Sequence, residues 1–81
     1  MTDFKAESVA RFERMAKLEQ SYDSHALCLT FRLCGMSVWE EVSRDKAMRK
    51  DKERINALID EIIANGESDA FMAWRRAQRE A

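Results

Sequence analysis

Gly35-Met36-Ser37-Val38-Trp39-Glu40-Glu41-Val42 is the stretch whose reading decides the class of fold. Ser37 is followed three residues later by Glu40, the S-x-x-E pattern in which the serine hydroxyl and the glutamate carboxylate satisfy backbone amides that a helix start leaves free. A helix is therefore expected to begin at Val38. Downstream, Val38, Val42, Met48, Ile55, Leu58, Ile59, Ile62 and Ile63 mark an apolar face that is thin between Ser43 and Arg54, so a kink is expected near Ser43 to Asp45. Asn65-Gly66 reads as the stop, because glycine takes the left-handed conformation that closes helices. Ser68 reads as a fresh cap with Asp69 in the first turn, and Ala70, Phe71, Trp74 and Ala77 as the inner face of a last helix.

Upstream, Thr2 and Asp3 suit a helix start, and Val9, Phe12, Met15, Ala16 and Tyr22 recur at helical spacing, which predicts a first helix from residue 3 to about 22. Ser21 to Ser24 gathers short polar side chains that compete for backbone hydrogen bonds. The chain either turns there, with Asp23 or Ser24 as a cap, or runs on as one helix. Residues 26–34 carry two patterns: Leu27, Leu29, Phe31 and Leu33 alternate as in a strand, while Leu27, Phe31 and Cys34 share a helical face. A lone strand leaves its backbone unpaired unless it meets a copy of itself, so helix is the expectation, ended by Gly35. The fold class expected is all-α: one domain over residues 1–81, a small bundle of three to four helices, with homodimerisation through Ile-rich or aromatic faces as a means of completing it.

Composition agrees with that class. The chain has 81 residues, no proline and two glycines, and is 46% hydrophobic and 36% charged. At this size the interior is modest and leaves little room for a deep cleft. Fourteen Lys and Arg against fifteen Asp and Glu give a net charge of −1, which supplies no bulk attraction to nucleic acid or acidic membrane. No apolar run approaches the roughly 20 residues of a membrane span, and the first residues lead straight into a charged pattern, so a cytoplasmic protein is expected. Two cysteines without further staples read as reduced, buried thiols.

Catalysis requires a titratable group poised near neutral pH, a partner to orient it and a pocket, and the chain offers one histidine and one tyrosine. His25, Cys28 and Cys34 form a weak candidate for a three-ligand zinc site, but His-x2-Cys-x5-Cys lacks paired C-x-x-C knuckles. Neither an enzyme nor a cofactor is expected. No phosphate-cradling glycine loop is present.

Leu33-Cys34-Gly35-Met36-Ser37-Val38-Trp39-Glu40-Glu41-Val42-Ser43-Arg44 resembles the turn and recognition helix of helix-turn-helix DNA-binding proteins. Four residues stand between Ser37 and Val42-Ser43-Arg44 where that family often has three, and Phe31 occupies a position where it favours a small side chain. The resemblance implies a DNA-binding regulator using the basic run Arg44, Lys46, Arg49, Lys50, Lys52 and Arg54, in which six bases face three acids. The bland alternative for such a run is a solvated helix face.

The leading expectation is different: a protein-binding module, acting as an inhibitor, adaptor or regulator, such as the small accessory proteins of phages and mobile elements. Phe71, Met72 and Trp74 crowd four residues of the last helix beside Arg75 and Arg76, more aromatic and methionine surface than one helical face hides. With Trp39 they form the expected partner-binding set.

Overall fold

The computed structural model describes residues 4–31 and 35–80. Three helices account for nearly all of them: α1 (Ala6–Phe31), α2 (Val38–Ala64) and α3 (Ser68–Glu80), with no strand among the described residues. The all-α bundle is thus what the chain forms, with three helices. Of the two alternatives at Ser21 to Ser24, the chain takes the second: α1 runs on through them as one helix. The reason is tertiary: the Ser21 hydroxyl donates to Asp51 Oδ2 of α2 at 2.7 Å instead of competing for its own backbone. Residues 26–31, the stretch with strand-like alternation, are the last turns of α1; residues 32–34 lie outside the described residues.

Ser37 caps α2 as its sequence implies, with an extended backbone (φ −71, ψ 160) and a hydroxyl that accepts from the Glu40 amide at 3.2 Å. The helix continues unbroken past Ser43 to Asp45, so no separate element begins at the expected kink. It closes at Asn65-Gly66 in a Schellman arrangement: the Glu67 amide donates to Ile62 O at 2.9 Å and the Gly66 amide to Ile63 O at 3.0 Å, with Gly66 at φ 68. The next cap is one residue earlier than expected. The Phe71 amide donates to Glu67 O at 2.8 Å, which makes Glu67 the N-cap and Ser68 the first helical residue.

α1 and α2 lie antiparallel: Ser21 meets Asp51, Lys52 lies over the Tyr22 ring, and His25 meets Arg44. α3 folds back over one half of this hairpin. There Phe12 and Met15 of α1, Ile55, Leu58 and Ile62 of α2, and Phe71 and Trp74 of α3 make the core, with Phe4, Val9, Leu18, Tyr22 and Ala70 around it. Phe12 is its centre, tilted against Phe71 at 5.2 Å and Trp74 at 5.8 Å and edge-on to Phe4 at 6.4 Å. Polar clamps hold α3 in place. Glu67 accepts from the Ser8 hydroxyl and pairs with Arg11 at 2.8 Å, and Arg75 reaches Glu19 at 3.0 Å while its guanidinium covers the Phe71 ring. The Ser8 hydrogen bond, and after it Arg11, hold the Glu67 carboxyl below the ordinary carboxylate range against the opposing effect of its partial burial.

Helix lengths fix the shape. At 1.5 Å per residue α1 and α2 each extend about 40 Å and α3 about 20 Å, so the third helix covers only half of the hairpin. The molecule measures 47 × 27 × 16 Å. Its radius of gyration is 15.4 Å, against about 12 Å for a compact domain of this length.

Candidate protein-binding surface

The half of the hairpin that α3 does not reach has no interior. Among the described residues, no side chain from 22 to 31 or from 35 to 50 is buried. His25, Cys28, Leu29, Arg44, Ala47 and Met48 are half-buried where the two helices touch. Five large apolar side chains face solvent there: Leu27, Phe31 (63% exposed), Val38, Trp39 (83% exposed) and Val42. Their spacing sorts them by helix. Leu27 and Phe31 are one turn apart on α1, while Val38 and Val42 are one turn apart on α2 with Trp39 beside them. An open groove of about 510 Å³ lies alongside, lined by Leu29 of α1 and Glu41, Val42, Asp45, Lys46 and Arg49 of α2.

The residues expected to bind a partner divide between the two ends. Trp39 lies on this surface. Phe71 and Trp74, expected as contact anchors, are instead buried against Phe12 in this chain. Arg75 is committed to Glu19 and the Phe71 ring, and Met72 and Arg76 remain exposed on the outside of α3. The sequence marks Leu27, Phe31, Val38 and Val42 as apolar helix-face residues and not as part of the partner-binding set, and all four are exposed. The signal that finds them is the length difference between α3 and the two helices it packs on.

The basic run does not form one face. Arg44 turns inward to within 3.4 Å of His25 Nδ1, and Lys52 sits 5.6 Å from the Tyr22 ring centre. Arg49 is exposed and paired with Asp45 at 3.0 Å. Lys46 and Arg49 flank the groove, Lys50 is exposed, and Arg54 lines a separate depression with Arg14 and Leu18. The geometry also departs from the helix-turn-helix resemblance. In that motif the helices cross at roughly 90–120°, whereas α1 and α2 run side by side along their length.

His25 and Cys28 are both half-buried, Cys28 is a free thiol, and Cys34 lies outside the described residues. Among the described residues no group of three or more His, Cys, Asp or Glu side chains is placed to hold a metal ion, and no helix is long and apolar enough to cross a membrane. Comparison with models of protein families, with curated proteins and with solved structures finds no match to this chain.

Proposed function

We propose that this chain is a non-enzymatic protein-binding module, an inhibitor, adaptor or regulator, that docks through the loop end of its α1–α2 hairpin. The observation that carries the reading is the exposure of Trp39 and Phe31, with Leu27, Val38 and Val42, on the part of the bundle that has no third helix. Apolar side chains scattered singly over a surface are ordinary; five gathered at one end of a small chain mark an interaction site. Tryptophan is the type most enriched among residues whose removal costs a complex about 2 kcal/mol or more. Glu41, Asp45, Lys46 and Arg49 beside the groove form a polar rim to that apolar centre.

The test is an affinity capture from native extract, with and without nuclease, using the wild type and Trp39→Asp, whose side chain has almost no contacts to lose. A stoichiometric protein that survives nuclease with the wild type and is absent with Trp39→Asp is the expected result. Nucleic acid recovered equally by both, and lost on Lys46→Glu with Lys50→Glu, overturns the reading in favour of the basic run.

A further inference from the structure

We draw no further inference here: the strongest candidate, the exposed apolar patch of Leu27, Phe31, Val38, Trp39 and Val42 at the loop end of the α1–α2 hairpin, belongs to the surface already described, and nothing in the structure shows what covers it.

Discussion

Replacing Trp74 by alanine removes the largest side chain of the core from between α3 and Phe12, where the two rings sit 5.8 Å apart and the indole is 8% exposed. Losing a buried tryptophan costs about 3–5 kcal/mol. A chain of 81 residues has a total stability of about 4–12 kcal/mol, so Trp74→Ala is expected to consume a quarter of it at the least. At about 4–8 °C of melting temperature per kcal/mol for a domain this small, the midpoint falls by at least about 12 °C. Trp39→Ala, made 35 positions earlier in the same chain, is expected to move stability by no more than about 0.5 kcal/mol under conditions where the protein is monomeric. Urea titrations followed by far-UV circular dichroism compare the two. Trp74→Phe and Trp39→Phe, each leaving one indole, add a spectroscopic readout: the remaining Trp74 is expected to emit at shorter wavelength and resist acrylamide quenching, and the remaining Trp39 to do the reverse. A Trp74→Ala protein that melts with the wild type while losing a partner refutes the placement of the core and returns α3 to the role of contact helix.

Two further predictions concern the attachment of α3. Because the Glu67 carboxyl titrates below its ordinary range in the folded chain, its stabilising effect is complete above the unfolded value of about 4.3 and disappears as pH falls through the folded one. The difference in urea midpoint between wild type and Glu67→Gln is therefore expected to be largest near about pH 7 and to shrink toward about pH 3; a pH-independent difference refutes the role given to its charge. Gly66→Ala meets no atom within 4 Å, so its cost is purely that of a left-handed backbone at φ 68, about 1–2 kcal/mol by thermal melting. An unchanged melting temperature contradicts the Schellman turn.

What was legible in the sequence was what local chemistry decides. The Ser37 cap and the Asn65-Gly66 stop involve partners no more than five residues away, and both are where the residue types put them. What was not legible depended on partners far along the chain. The choice between turn and helix at Ser21 to Ser24 stays open in the sequence because the acceptor of Ser21, Asp51, is 30 positions distant. Ser68 looked like a better cap than Glu67 because the attachment of Glu67 to Ser8 and Arg11 joins opposite ends of the chain. The two tryptophans are chemically identical, and only the approach of Phe12 assigns one to the core. Reading the first helix as ending near residue 22 hid the decisive quantity, since a helix ending at Phe31 outruns α3 by about two-fold in length.

The same uneven burial bears on how long a copy of this protein survives in a cell. Opening the chain between residues 22 and 50 exposes no buried side chain among those described, so this part opens at lower free energy than the end held by Phe12. Quality-control proteases act on such openings, and the amount of a marginally stable protein follows their frequency. If a partner covers Trp39 as proposed, it also shields the segment a protease reaches first, and abundance is then expected to follow occupancy.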